Sequence, residues 1–393
     1  MKTYMEAGGF DMKTQDLIAI GTTLFLALFS MSVNAQDLDK EVLKAEIKKE
    51  LKEELKGEGG VLAGIQDHIQ LSGLIEFGGA WQDVKNTDGT SVDQSDLALT
   101  TVELTAEAEV NDWATVEITL LYEDPSFGDE TSVDLDAAIL SIGNTEEFPL
   151  YFSAGAMYVP FGALLTHFPD DPLMDVPLTL LLGETREKAV LLGVEHQGFS
   201  LSGYLFNGDM DETGQENQVK GYGLDANYSF GDEGVWDILI GASYISNIAD
   251  SDGLEEALAA VGDIVEYIGG FDAYLHVGYA GFFFDAEYMA ATDNFKPTEL
   301  ATNGQGAQPA VWNLELGYNL NWGRNLEIAL KYAGSDESGA LGFPKERYGI
   351  VLNQDILEGT VVSLAYLNDD YEANDSDGRD GRDVVYGQIA MEF

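Results

Sequence analysis

The stretch Asp383-Val-Val-Tyr-Gly-Gln-Ile-Ala-Met-Glu-Phe393 decides how this chain reads. Val385, Gly387, Ile389, Met391 and Phe393 fall on one face of an extended segment, and Tyr386, Gln388, Ala390 and Glu392 on the other. A period of two, apolar on one side and mixed to polar on the other, belongs to a strand whose faces meet unlike surroundings. Chain ends usually fray, so a soluble domain gains little from ending flush on such a strand. A sheet closed on itself does gain, because its last strand must pair with its first. The expectation is a barrel with this strand as its seam.

The same alternation runs backward through the chain to about Asp67. Ile69, Leu71, Ile75, Phe77 and Trp81 share one parity, as do Val102, Leu104, Ala106, Ala108 and Val110. Val133, Leu135, Ala137 and Ile139 follow, then Trp236, Ile238, Ile240, Ala242 and Tyr244, and Trp312, Leu314, Leu316, Tyr318 and Leu320. With weaker segments counted, sixteen strands are expected. Connectors after even-numbered strands are tight, as at Asn111-Asp112, Gly198 and Gly281. Connectors after odd-numbered strands are long and polar: 83–95, 160–186, 207–218, 246–269, 292–309 and 369–382. Within 246–269, residues 253–268 read as a short helix. Alternating short turns and long loops mark a transmembrane antiparallel barrel, and sandwiches or propellers do not predict them. Trp81, Trp113, Tyr122, Tyr158, Trp236, Tyr318, Trp322 and Tyr332 sit at strand ends, where interface girdles are found. The terminal Phe393 resembles the assembly signal of bacterial outer-membrane barrels.

Ahead of the barrel, residues 1–35 read as a signal peptide. Leu17 to Phe29 has the length of an apolar h-region, with Val33 and Ala35 as small residues before a cleavage point at Gln36. Either Met1 or Met12 is the start. Residues 36–60 hold a periplasmic helix, with Leu43, Ile47, Leu51 and Leu55 at four-residue spacing and Gly57, Gly59 and Gly60 ending it. A short coiled coil and a linker helix both fit that pattern. Residues 61–393 form the barrel.

Composition excludes several functions. Forty-four Gly and eighteen Tyr with only nine Pro suit a β architecture. With no Cys, thiolate metal sites and thiol nucleophiles are ruled out. A net charge of −51 excludes nucleic acid as a partner, since phosphate contacts need Lys and Arg. Its source is a solvated acidic surface, a cation-enriching vestibule, or both. No catalytic residue, cofactor or metal site is assigned. The acidic run 369–383 lacks the full spacing of a calcium loop, and no His stands beside a nucleophile and an orienting acid in sequence.

Gly155-Ala-Met-Tyr-Val-Pro-Phe-Gly162 opens the longest loop, and its Pro160-Phe161-Gly162 turn resembles the phosphate-selective porin superfamily. The whole plan resembles the siderophore-porin family typified by the legiobactin uptake protein. That resemblance implies a porin that passes small solutes by passive or facilitated diffusion, a ferric siderophore among them. Expected partners are outer-membrane lipid and lipopolysaccharide, the solutes, and further copies of the chain in a homotrimer. Residues 59–393 contain only eleven scattered basic residues, which departs from a phosphate-conducting ladder. Loop 160–186 is too apolar for exposure to water, at Leu164, Leu165, Leu173, Met174, Leu178 and Leu180–Leu182. It either folds inward as a constriction or packs over the rim or against a neighbouring protomer. In the first case His167, Asp170, Asp171, Asp175, Glu184 and Arg186 line or flank the narrowing. Rival readings are a general cation-preferring diffusion porin, a structural or adhesive barrel, and an outer-membrane hydrolase.

Overall fold

The computed structural model describes residues 68–124, 132–169, 177–214, 218–232, 235–321, 323–372 and 378–393. The signal peptide, the helix of residues 36–60, Trp322 and the candidates Asp170, Asp171 and Asp175 lie outside the described residues.

Sixteen strands form one closed antiparallel barrel. The first eight are β1 (Ile69–Asn86), β2 (Ser91–Asn111), β3 (Ala114–Glu123), β4 (Ser132–Asn144), β5 (Phe148–Tyr158), β6 (Arg186–His196), β7 (Phe199–Asn207) and β8 (Gly221–Asp232). The rest are β9 (Trp236–Ile245), β10 (Gly270–Tyr279), β11 (Phe282–Ala291), β12 (Ala310–Asn321), β13 (Asn325–Asp336), β14 (Glu346–Leu357), β15 (Thr360–Asp370) and β16 (Arg379–Glu392). Among the described residues, two short α-helices, α1 (Leu178–Gly183) and α2 (Asp252–Leu258), lie in the long loops, with a small ribbon of Ala301–Thr302 and Gln305–Gly306. Each strand pairs with its neighbours in sequence, and β1 pairs with β16 from Leu74↔Glu392 to Asn86↔Arg379. Beyond the last strand, the Phe393 N–H donates to the Gly73 carbonyl at 3.1 Å and the Gly73 N–H donates back at 3.0 Å. The Phe393 ring lies over Gly73, where a Cβ would come within 2.6 Å of its Cζ.

The barrel is apolar outside and polar inside. Leu97 is 72 % exposed beside Ala98 at 4 %, and Leu71, Phe77, Leu192, Leu224, Leu316, Leu330, Val385 and Met391 are likewise exposed. Glu76, Gln82, Thr119, Asp225, Asn313, Glu315, Lys331, Arg347 and Gln388 are buried on the opposite parity. Leaving a Leu or Val in water instead of burying it forgoes roughly 1.5–3 kcal/mol. Repeated around every strand, that outer face is stable only against hydrocarbon, and the ladder closes on itself where β1 pairs with β16.

Several glycines serve the inner wall as seats for aromatic rings. Tyr151 pairs with Gly193, Tyr204 with Gly223, Tyr274 with Gly241 and Phe283 with Gly317. In each pair a Cβ on the glycine would come within 2.1–2.2 Å of the ring. Only glycine admits that approach.

Four sequence expectations need correction. The connector expected over 83–95 is mostly strand, because β1 and β2 run on to a turn at residues 87–90, closed by Asn86 N–H to Thr90 O at 2.8 Å. Similarly, strand occupies parts of 369–382, leaving residues 371–378 as the connector. The helix expected over 253–268 is only α2, since Gly262 takes a positive φ of 77° soon after it. In β4 the parity changes at a bulge opposite Thr119/Leu120, so Ala137 points inward while Leu140 and Ile142 join the outer face.

Candidate functional site

After β5 the chain turns into the barrel at Pro160-Phe161-Gly162. Proline fixes φ, and the buried Phe161 ring packs where a Cβ on Gly270 would be 2.8 Å away. Gly162 takes φ +86°, and a Cβ there would meet Met289 Cε at 2.9 Å and Glu287 Oε1 at 3.0 Å. The turn therefore needs glycine for both conformation and space.

Residues 162–168 then lie along the inner wall, their backbone groups bonded to wall side chains. The Gly162 N–H donates to Ser243 Oγ at 2.8 Å, and the Ala163 and Leu164 N–H groups donate to Glu287 Oε1 at 2.7 and 2.9 Å. The Thr166 hydroxyl and the His167 N–H donate to the two oxygens of Glu315 at 2.8 and 2.7 Å. Asn313 Nδ2 donates to Leu165 O at 3.1 Å, and Asn353 Nδ2 to His167 O at 2.7 Å. Phe168 is buried beneath Lys331 Nζ, which lies 4.2 Å from the ring centroid. A loop on a low-dielectric wall needs such partners, because an unpaired buried amide costs about 1–3 kcal/mol.

His167 is the hub. Its Nε2 lies 2.9 Å from Asp285 Oδ2 and its Nδ1 3.2 Å from Glu327 Oε2, while the ring stacks on Phe283 at 3.7 Å. Asp285 continues through His276 Nδ1 at 2.5 Å, and His276 Nε2 reaches Asp237 at 2.8 Å. Acids and imidazoles thus alternate from β9 to β13. Burial works against charge on His167, but the bonds to Asp285 and Glu327 outweigh it and raise its pKa to about 9. It is an imidazolium at neutral pH.

The remaining candidates separate. The loop does not behave as one piece: 162–168 follow the wall, whereas Leu178 and Leu182 of α1 bury themselves with Leu254 and Leu258 of α2 and with Ile248. Residues 162–168 and α1 therefore have unlike surroundings, polar wall side chains for the first and an apolar cluster for the second. Glu184 closes α1, its N–H donating to Leu180 O at 2.8 Å and its carbonyl accepting the Asp252 N–H at 3.0 Å. Arg186 stands on the exposed outer parity of β6 and donates to Leu135 O at 2.9 Å. Lys188 shares that parity, so neither meets His167. On the outer face of β16, Val385, Met391 and Phe393 are exposed and Ile389 half-buried.

Sequence reading missed the wall partners Asp285, Glu287, Glu315, Glu327, Asn313 and Asn353. A signal was available: in Phe282-Phe-Phe-Asp-Ala-Glu287, acids recur on the parity opposite two outward aromatics. It also missed Asp369, fully enclosed by Arg347 Nε at 2.7 Å and Arg382 Nη2 at 2.6 Å. The second arginine holds Asp369 with the first, and Lys331 lies 3.3 Å from Glu315 Oε1. These three inward cations thus each sit against a carboxylate.

No family model matches the chain. It is similar to the UPF0422 proteins of Legionella pneumophila strain Lens (31 % identical over 327 residues, 77 % of this chain) and Coxiella burnetii (26 % over 305 residues, 76 % of this chain). The chain spans 59 % and 63 % of the length of those relatives. Among solved structures it is similar to an anion-selective porin from Comamonas acidovorans, with TM-score 0.57, 13 % identity, and 83 % of this chain and 99 % of that one covered. It is also similar to the outer membrane channel DcaP of Acinetobacter baumannii, with TM-score 0.53, 13 % identity, and 82 % and 97 % covered. Salmonella typhi OmpF, solved with daunomycin, gives TM-score 0.54 at 13 % identity over 83 % and 97 %. The chain thus has the closed sixteen-strand fold of outer-membrane porins.

Proposed function

We propose that this barrel is an outer-membrane porin through which small solutes pass by diffusion, with residues 159–169 narrowing the lumen. The observation that carries this reading is a closed barrel, apolar outside and polar within, with one loop hydrogen-bonded along its inner wall. The lumen prefers cations. Glu103, Glu107 and Glu117 share the inward parity of β2 and β3, Glu107 directly opposite Glu117, while Lys331, Arg347 and Arg382 are matched by acids. One structural neighbour is described as anion-selective, and the inner-wall charge here argues for the opposite sign.

Siderophore uptake is the finer reading, supported by the resemblance of the plan to siderophore porins. Because Arg186 and Lys188 face outward, a neutral or cationic ferric complex suits the lumen better than an anionic one. Planar-bilayer recording under a KCl gradient tests both levels. The expected reversal potential has the sign of cation preference and shrinks toward 1 M salt, where the Debye length is about 3 Å. Neutral or cationic ferric siderophores should interrupt the current more than anionic ones. Anion selectivity would overturn the charge assignment, and absence of conductance would leave a structural barrel.

A further inference from the structure

Gly203 of β7 seats no aromatic ring. The inner-wall glycines opposite Tyr151, Tyr204, Tyr274 and Phe283 are each crossed by one, but a Cβ on Gly203 would meet only Leu224 Cδ2 at 3.1 Å and the Gly223 carbonyl at 3.9 Å. Gly203 stands on the outer face, in register between Leu192 of β6 and Leu224 of β8, which are 59 % and 54 % exposed. The missing side chain leaves a groove of about 400 Å³, walled by those leucines with Val190, Leu205, Phe152 and Tyr222. Glycine inside a strand weakens the strand, and close approach by a ligand is one reason for it to stand there.

The same outer face turns basic directly above the groove. Lys188 is the next outward position after Val190 on β6, is exposed, and pairs in register with Ala156 and Asn207. Among the described residues no carboxylate forms an ion pair with it. Arg186, one outward position further, donates to Leu135 O and shares the field of Asp252 and Glu255, while Asp136 accepts from the Tyr158 hydroxyl at 2.6 Å. Lys188 is thus the cation left for an outside anion. Tyr158 pairs with Arg186 and Tyr222 with Leu205, and both rings are exposed. Such aromatics mark the level where lipid head groups begin. β6 starts at the end of the longest loop, and long loops face the cell exterior. An apolar slot below a cation at the head-group level of the outer leaflet has the complementary chemistry of a phosphorylated, acylated lipid. The net charge of −51 repels such lipids in general, so an unpaired outward lysine sets this place apart.

We propose that the β6–β8 groove seats an acyl chain of one lipopolysaccharide molecule, with Lys188 holding its sugar phosphate and Arg186 supporting the contact. This rests on the outer-membrane placement proposed above, though not on conduction.

The test uses the full chain refolded in detergent and checked for a folded gel band. It is incubated with lipid A (the phosphorylated, acylated anchor of lipopolysaccharide), with lipid A stripped of phosphate, or with phosphatidylglycerol. Lipid that stays bound through size exclusion is counted per chain by mass spectrometry. Wild type should keep about one phosphorylated lipid A and much less of the other two. Lys188→Glu should lower that retention roughly ten-fold, and Lys188→Arg should preserve it. Gly203→Leu fills the groove, leaves the charges in place, and should lower retention as well. Equal retention of stripped lipid A or of phosphatidylglycerol by wild type would overturn the proposal. So would undiminished retention by both Lys188→Glu and Gly203→Leu. Gly203→Cys chains that cross-link to one another on oxidation would give the groove to a second copy and also overturn it. A chain that forms no folded barrel in detergent would sink the outer-membrane placement and this proposal with it.

Discussion

At the scale of single residues, buried charge is where this lumen is most sensitive. Asp369 sits between Arg347 and Arg382 with its side chain fully enclosed. Asp369→Asn removes the carboxylate that both guanidinium groups share, and breaking a buried pair from one side costs about 3–5 kcal/mol. A fall in the urea midpoint for refolded Asp369→Asn checks this; an unchanged midpoint refutes it. His167 gives a pH dependence of defined sign. Its pKa is higher folded, at about 9, than the ordinary value near 6.5 in an unfolded chain. Its ion pairs therefore stabilise the loop fully below about pH 6.5, and that contribution is lost as pH rises through about 9. Wild-type channel current should become noisier between pH 7 and pH 10, and His167→Ala should be equally noisy across the range. A His167→Ala variant that keeps the wild-type pH response would contradict this assignment. The Pro160-Phe161-Gly162 turn was legible as a special position because the three residues are adjacent. The partners of His167 were not, because they lie more than a hundred residues away and only strand register brings them in.

At the scale of elements, the seam is the most sequence-determined part. Val385, Ile389 and Met391 alternate outward as their pattern requires, and Phe393 pairs with Gly73. That glycine carries two demands, the ring over it and the Glu103 carbonyl 3.0 Å from any Cβ. Gly73→Val should crowd the closing strand at a cost of about 1–3 kcal/mol. The gel band that resists detergent until boiled should weaken in this variant; full wild-type yield of that band would show that the seam tolerates the crowding. Strand number and face were readable because period two survives in each strand. Element ends were less so. β1 and β2 continue as polar ladder on both faces well past the roughly 9–11 residues needed to cross a bilayer, where hydrophobicity carries no signal. The β4 bulge is invisible for a related reason: one extra residue changes the parity without changing composition.

At the scale of the whole molecule, the inner-wall loop and the polar lumen form one argument. Apolar leucines in α1 and α2 close part of the loop region into a core, while residues 162–168 stay on the wall with charged partners. The sequence signalled an unusually apolar loop but could not divide it, since division depends on which strand acids the loop meets. The most direct test exploits the lack of native cysteine. Leu165 is half-buried within the wall-bound segment, and Leu165→Cys gives a unique thiol there. A cationic thiol reagent added to single channels of this variant should lower the current in one discrete, reductant-reversible step, with no effect on wild type. Unaltered conductance in protein shown by mass to be fully modified would contradict a loop that narrows the pore.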